Sequence, residues 1–243
     1  MIEEWFSTIE LPLTLGQFQQ LPQNPAFKYE YFDGHAWLTP RPKNYHALLD
    51  LPSFARPIAA PATHGEIAIR ALTDEDWQSL PPLFVAAFYR VQPFAGLSDE
   101  VRLQAAQACL ERTRNGEEGP LIAEASCVAA CKSDQASIGV VLTTLTPDGD
   151  PSQWDSWRWK MPPPADAVAR RIGRPHLTWI FVSPWHARRG VGMALLDAAV
   201  QGLTRLGYSQ LASTFLLGNE SSTLWHWRAG FRLLSYPGTV RSM

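Results

Sequence analysis

The chain of 243 residues is 46% hydrophobic and has a formal net charge of −2 at pH 7. This composition excludes a disordered chain and a strongly basic surface for nucleic acid. A membrane span is not expected either, because no apolar run reaches the roughly 20 residues that such a helix needs.

The cysteines and the first residues of the sequence indicate the cellular compartment. The three cysteines, Cys109, Cys127 and Cys131, form an odd set with no histidine at metal-ligand spacing. The opening residues, MIEEWFSTIE, lack the basic start and apolar run of a signal peptide. The sequence therefore predicts a cytoplasmic protein with reduced thiols and no metal. Neither nucleic acid nor a membrane is predicted as a partner.

Prolines interrupt residues 1–65 and predict a Pro-rich N-terminal extension without long helices. Within it, Asp33-Gly34 lies between two alternating aromatic runs, which predicts a hairpin at about 29–38. This hairpin resembles one in a family of restriction-like nucleases. A nuclease would need a metal-binding carboxylate cluster, and the sequence contains no such pattern. We expect the extension to pack on a main domain of residues 66–243.

The main domain is predicted to open with a strand and two helices. The run EIAIRALT at 66–73 alternates as a strand, and a helix follows over about 74–90. A second helix is predicted from Ser98 to about Arg114, where Asn115-Gly116 ends it. A pair of strands then follows at 120–131 and 136–146.

Residues 147–175 are predicted to be an irregular insertion, because three consecutive prolines at 162–164 break regular structure. The insertion contains Trp154, Trp157 and Trp159. Long irregular segments inside a compact domain often serve as lids or binding loops. These tryptophans are therefore expected either to cover a substrate site or to dock on a neighbouring surface.

A strand, a glycine loop and a helix follow one another from residue 176. The apolar strand spans 176–183, the loop contains Arg188-Arg189-Gly190-Val191-Gly192, and the helix covers about 190–206. Free backbone N–H groups at a helix start bind phosphate, and the helix dipole adds to the attraction. Glycines permit close approach of the backbone, and arginines supply charged donors. The sequence thus predicts a phosphate site here, followed by a strand at 209–217 and a short helix from Asn219.

The order of strand, Pro184, basic Gly-x-Gly loop, apolar helix, strand, Asn219 and Gly230-Phe231 resembles the acetyl-CoA site of the GNAT superfamily of acyltransferases. The resemblance implies an α+β fold with a central mixed, mostly antiparallel sheet flanked by helices. It also implies acetyl-CoA as cosubstrate and a splayed pair of strands around the pantetheine arm. The cofactor-binding residues that it implies are Phe181, Val182, Arg188, Arg189, Gly190, Val191, Gly192, Met193 and Asn219.

Two positions depart from the family pattern. Ala187 stands where the loop usually opens with Gln or Arg. His226 stands where a Tyr often protonates the leaving thiolate, so we predict His226 as the acid. Glu124, His176 or a water chain are the alternatives for the base.

The resemblance favours an N-acetyltransferase that moves an acetyl group directly from acetyl-CoA to an amine. The acceptor is expected to be a small molecule or a peptide, contacted by Phe88, Tyr89, Phe94 and the loop 91–97. The alternative is a non-catalytic acyl-CoA-binding regulatory or sensor protein on the same fold, which the missing Tyr favours. Whether the chain forms a homodimer is left open.

Overall fold

The computed structural model describes residues 8–24, 27–40, 44–55, 66–150, 159–216 and 219–234. A small three-stranded sheet comes first along the chain, in the order β1-β3-β2. Asp33 and Gly34, with φ of 52° and 76°, form the tight turn between β2 and β3, inside the predicted hairpin range. The elements of this part are β1 (Ile9–Pro12), α1 (Leu15–Gln19), β2 (Phe27–Phe32) and β3 (His35–Pro40).

A second sheet has seven strands among the described residues, in the order β10-β4-β9-β8-β7-β6-β5. Within that part of the chain its neighbouring strands are antiparallel, except that β8 and β9 are parallel. The predicted mixed, mostly antiparallel sheet flanked by helices is confirmed. In chain order its elements are β4 (Asn44–Asp50), β5 (Ile67–Ala71), α2 (Asp76–Ala87), α3 (Asp99–Arg114), β6 (Cys127–Cys131), β7 (Ser137–Thr146), α4 (Ala167–Arg170), β8 (Arg174–Val182), α5 (Val191–Arg205), β9 (Gln210–Leu216), α6 (Glu220–Arg228) and β10 (Arg232–Leu233).

Helices pack on both faces of this sheet. On one face, α5 buries a stripe at helical spacing that includes Val191, Leu195, Ala199 and Leu203, and Phe231 after α6 packs into the same core. On the other face, α2 and α3 enclose a second core with the side chains of β7 and β8. Among the described residues no helix combines the length and apolar character that crossing a membrane requires.

Strand β4 comes from the first 65 residues yet lies inside the large sheet, antiparallel to both β9 and β10. Ala47 and Leu49 of β4 are buried in the core beneath α5. The run Tyr-His-Ala-Leu-Leu in this strand is short and lies between prolines. Its strand character depends on pairing with β9, which is about 160 residues away in sequence. The boundary at residue 65 stays a prediction, while the fold joins residues 44–50 to the sheet.

A bulge in β8 changes which side chains share a face. The register passes from Leu142↔Trp179 to Thr143↔Leu177, so Thr178 is the extra residue. Strict alternation along 176–183 would place Leu177 and Trp179 on one face, and the bulge separates them. Leu177 packs into the core under α5 together with residues 180 and 182, whereas Trp179 packs on the α2 side.

Candidate functional site

The parallel neighbours β8 and β9 separate along their length. Their ladder consists of two pairs, His176↔Ala212 and Leu177↔Ser213. Beyond these pairs β8 stays bonded to β7 as far as Val182, and β9 stays bonded to β4. The edges that β8 and β9 turn toward each other are therefore unpaired across the gap, within the described residues. Their N–H and C=O groups can bind an extended ligand, and the predicted splay of this strand pair is confirmed.

The open end of the strand pair leads directly into the start of α5. After β8, one turn of 3₁₀ helix at 184–186 carries the chain to Arg188 and Gly190, whose φ angles are 62° and 81°. Gly190 is the N-cap of α5, and no side chain of the described residues caps the helix there. A positive φ suits glycine, and it turns the backbone sharply from the loop into the helix.

The first turn of α5 presents unused donors. The Ala194 N–H donates to the Gly190 carbonyl over 3.0 Å, which is the first intrahelical bond. The N–H groups of Val191, Gly192 and Met193 precede that bond and have no acceptor within the helix. Arg188 and Arg189 are exposed beside them. Charge and backbone donors therefore meet where the sequence predicts a phosphate.

Phe181 and Val182 form the wall that faces the gap. Their main chains pair with Val140 and Gly139 of β7, which leaves the opposite edge toward β9. The Phe181 side chain is buried among the aromatic rings on the α2 side. The main chain of Phe181, rather than its side chain, therefore faces the gap, and the role of both residues in binding the cofactor stays a prediction.

Trp225 of α6 is a wall residue that the sequence analysis did not identify. A Cβ built on Gly192 would lie 3.3 Å from the Trp225 Nε1 and 3.9 Å from the Val182 Cγ2. Glycine at this position thus lets the α6 indole approach the first turn of α5. The indole N–H lies beside the open end of the strand pair.

Asn219 caps α6, which leaves only part of its side chain for the predicted contact with the cofactor. It is the N-cap of α6, and its Oδ1 accepts the Ser222 N–H over 3.0 Å. Capping of this kind typically stabilises a helix by about 1 kcal/mol. The part of the side chain left to orient a ligand is the amide NH₂ group.

His226 lies inside the core between α6 and β9. It is 3% exposed and stacks on Phe215, with ring centroids 4.1 Å apart. Burial lowers the pKa of His226 to about 4, against the opposing effect of a hydrogen bond to the Ser222 carbonyl. The ring is therefore neutral near pH 7. In this resting state the ring does not carry the extra proton that the predicted acid would give to a leaving thiolate, so the acid role stays a prediction.

His176 is held in a chain of side chains on the opposite face of the sheet. Its Nε2 lies 3.0 Å from the Thr214 Oγ1, and its Nδ1 lies 3.1 Å from the Thr178 Oγ1. Thr214 also contacts the His46 Nδ1 at 3.3 Å, and Thr178 lies 2.7 Å from the Thr144 hydroxyl. The chain links β4, β9, β8 and β7 at the point where β8 and β9 begin to separate.

The direction of these hydrogen bonds follows from one fixed end. The Thr144 hydroxyl donates to the Glu118 carbonyl over 3.0 Å, and the single proton of the Thr178 hydroxyl goes to Thr144 or to the His176 carbonyl at 3.3 Å. His176 then donates from Nδ1, and its Nε2 accepts from Thr214. Burial, and after it the neighbouring His46 and His226, lower the pKa of His176 to about 3. Because its Nε2 lone pair is already bonded, His176 acts here as a bridge across the opening strands.

Glu124 does not join either histidine. It was predicted to lie in a strand but belongs to a 3₁₀ turn, Ala123–Ala125, that packs its backbone on Gly202 near the end of α5. Its side chain is exposed on the α5 side, whereas His176 faces the other side of the sheet. The described residues contain no group of three or more His, Cys, Asp or Glu that could hold a metal ion.

The predicted acceptor contacts divide into core and surface. Phe94 is 1% exposed and packs edge-on against Phe84, and Phe88 packs on both Phe94 and Phe181. Tyr89 is 54% exposed, with the Arg102 guanidinium 4.8 Å from its ring centroid. Among the three aromatics, Tyr89 is therefore the one open to an incoming molecule.

The described tryptophan of the insertion docks rather than covers a site. The Trp159 indole N–H donates to the Leu145 carbonyl over 2.7 Å at the far end of β7. Its ring also lies against Gly119 and Gly173. Trp154 and Trp157 lie outside the described residues.

The chain is similar in fold to solved structures of GCN5-related N-acetyltransferases. One, from Sphaerobacter thermophilus, is 16% identical with a TM-score of 0.49, and the match covers 80% of this chain and 50% of that one. The chain thus spans about half of that protein. The aminoglycoside N-acetyltransferase AAC(6')-Iy, solved with CoA, is 21% identical with a TM-score of 0.46, covering 74% of this chain and 98% of that one.

A third similar structure is a GCN5-related N-acetyltransferase from Ralstonia eutropha. It is 18% identical with a TM-score of 0.42, and the match covers 73% of this chain and 97% of that one. No family model and no curated protein matches the chain.

Besides Trp225, three residues at the site were missed from sequence: His46, Ser213 and Thr214. His46 was hidden in the proline-interrupted segment. Ser213 and Thr214 are common residue types without a motif, and only the pairing of β9 with β4 and β8 brings them to the histidines. The available signal was the short apolar run at 47–49, which marks a buried strand but not its neighbour.

Proposed function

We propose that this protein is an acetyl-CoA-dependent N-acetyltransferase that transfers the acetyl group to a primary amine of a small molecule or peptide. The observation that carries the proposal is the opening between β8 and β9, which ends at the uncapped start of α5. The start of α5 offers a phosphate site, and the open edge of β8 offers backbone groups to an extended ligand. These two elements follow each other in the sequence.

The dimensions of the opening fit CoA. From Val182 at the open end to Leu177 at the closed end is five residues, or about 16 Å of extended strand. An extended pantetheine arm has a comparable length. With its pyrophosphate on the amides of Val191, Gly192 and Met193, the thioester would lie near the closed end. Arg188 and Arg189 would add charge to that phosphate contact.

The two faces of the sheet divide the reaction between them. Helices α5 and α6, and with them the phosphate site, lie on one face. The acceptor would reach the thioester carbonyl from the other face, where Tyr89 and the hydrogen-bonded side chains around His176 lie. Holding both partners at one gap supplies the proximity on which direct transfer depends.

A pair of measurements tests the proposal. Calorimetry with CoA should show one site per chain, and release of free CoA thiol from acetyl-CoA should depend on an added amine. A panel of small polyamines, amino sugars and peptides with free N-termini surveys the acceptors. Absence of CoA binding would contradict the proposal outright.

The buried state of the histidines favours a second function, a non-catalytic acyl-CoA sensor. His176 and His226 are both buried and hydrogen-bonded, and the pKa of each is lowered below neutrality. A sensor would bind CoA and gain thermal stability with it. It would release no thiol with any amine in the panel, which separates it from the enzyme.

A further inference from the structure

Ser213 and His226 form a buried pair at the closed end of the opening. The Ser213 Oγ lies 2.8 Å from the His226 Nε2. Both residues are 3% exposed. Ser213 also belongs to the last pair of the β8–β9 ladder, so it is where the two strands begin to part.

The hydrogen bonds around His226 fix its tautomer. The His226 Nδ1 lies 2.7 Å from the Ser222 carbonyl oxygen, which can only accept, so Nδ1 carries the proton. In the neutral ring Nε2 then has the lone pair, and the Ser213 hydroxyl donates to it. A hydroxyl, a base bonded to it and an acceptor that orients the base are the parts of an activated nucleophile.

Ser213 lies on the face of the sheet from which CoA would enter. Its neighbours in β9, Leu211 and Phe215, alternate with it and are buried beneath α5 and α6. Rings of Phe215, Trp225 and Phe231 surround the imidazole, with centroids 4.1, 4.9 and 4.9 Å away. An apolar surrounding of this kind beside Ser213 would slow hydrolysis of an ester formed on the serine.

We propose that Ser213, activated by His226, takes the acetyl group from acetyl-CoA when no amine is present, forming an acetyl-serine. The inference rests on the proposed function, since it needs the thioester at the closed end of the strand pair. It adds an activity that direct transfer does not require.

The step balances in atoms and protons. The Ser213 Oγ bonds to the thioester carbonyl carbon while His226 Nε2 takes the hydroxyl proton. The carbon–sulfur bond then breaks, and the thiolate takes that proton from His226 to leave as CoA thiol. An amine, or slowly water, later attacks the ester carbonyl. The attacking amine or water gives a proton to His226. The bond between the carbonyl carbon and the Ser213 oxygen then breaks, and His226 returns the proton to that oxygen.

N–H groups on the facing edges of β8 and β9 that have no strand partner among the described residues can stabilise the oxyanion of this step. These edges diverge immediately after Leu177 and Ser213. Backbone donors of this strand pair therefore lie next to the serine and its base along β9.

The test is to mix the full chain with acetyl-CoA without amine, quench it in acid and map the peptides by mass spectrometry. We expect the mass of one acetyl group on the peptide that contains Ser213, and one CoA thiol released per chain in a rapid first phase. Ser213→Ala should abolish both and keep CoA affinity. Ser213→Cys should restore the adduct, because a thiol is also a nucleophile. Ser209→Ala, an exposed serine just before β9, is the matched control and should leave both unchanged.

Three results would overturn the inference. The first is CoA binding without adduct or early thiol release. If amine-dependent turnover persists in that case, the proposed function stands and only the serine step fails. The second is an adduct on another residue, or one that survives in a folded Ser213→Ala variant, with folding checked by thermal denaturation. The third is absence of CoA binding, which removes the proposed function as well.

Discussion

At the scale of single residues, Gly190 has the clearest task. Its φ of 81° directs the chain into α5, and the absence of a side chain leaves the first amides of the helix open. A carboxylate placed there would both cover these amides and repel a phosphate.

We expect Gly190→Glu to raise the CoA dissociation constant by more than about tenfold, or about 1.4 kcal/mol. The matched control is Gly116→Glu, since Gly116 has φ of 76° with its nearest Cβ contact 3.8 Å away. Both variants suffer the same backbone strain, but only the first alters the phosphate site. Titration calorimetry of both proteins with CoA checks this, and equal affinities would show that Gly190 lies away from the ligand.

At the scale of elements, one carboxylate fastens β5 to α2. Asp76 accepts hydrogen bonds from both terminal nitrogens of Arg70 at 2.7 Å and from the Thr73 N–H and hydroxyl at 2.8 Å. Burial alone would raise its pKa. The bonds from Arg70 and Thr73 outweigh that effect and hold the pKa to about 2.

Asp76→Asn should therefore lower the free energy of unfolding by about 2 kcal/mol near pH 7. The pKa is depressed in the folded chain, so this stabilisation is complete above about pH 4 and disappears as the pH falls toward 2. Urea denaturation of both proteins across that range measures it. Asp74→Asn serves as control, because Asp74 is 92% exposed and its pair with Arg114 lies at the surface. A difference between wild type and Asp76→Asn that does not shrink on acidification would contradict the linkage.

At the scale of the whole molecule, the sheet is closed by a strand from the beginning of the chain. β4 fills the place between β9 and β10 and buries Ala47 and Leu49 beneath α5 and α6. Without it, β9 would expose an unpaired edge beside the proposed site. The hydrogen-bonded series of side chains that reaches His176 would also lose His46.

We expect a chain that begins at residue 66 to unfold at a much lower temperature than the full protein and to lose CoA binding. A chain that begins at residue 44 keeps β4 and should retain both properties. Thermal denaturation and calorimetry on these two truncations and the full chain make the comparison. If the chain that begins at residue 66 binds CoA with unchanged affinity, β4 does not stabilise the site.

The glycine-bearing start of α5 and the order of elements around it were readable from the sequence, since both are local. Gly190 and Gly192 mark a helix start, the apolar run at 176–183 marks a buried strand, and Asn219 marks the next helix. Each of these depends on the conformation of neighbouring residues, and that is what a sequence pattern encodes.

The partners of the polar residues were decided by tertiary structure alone. Ser213 meets His226, and His46 meets Thr214, because β9 lies between β8 and β4 and because α6 folds back over it. The bulge at Thr178 also altered the expected faces of β8. Strand pairing joins residues that are far apart in sequence, and a register shift of one residue moves a side chain to the other face. The local sequence therefore predicts neither the strand partners nor the register.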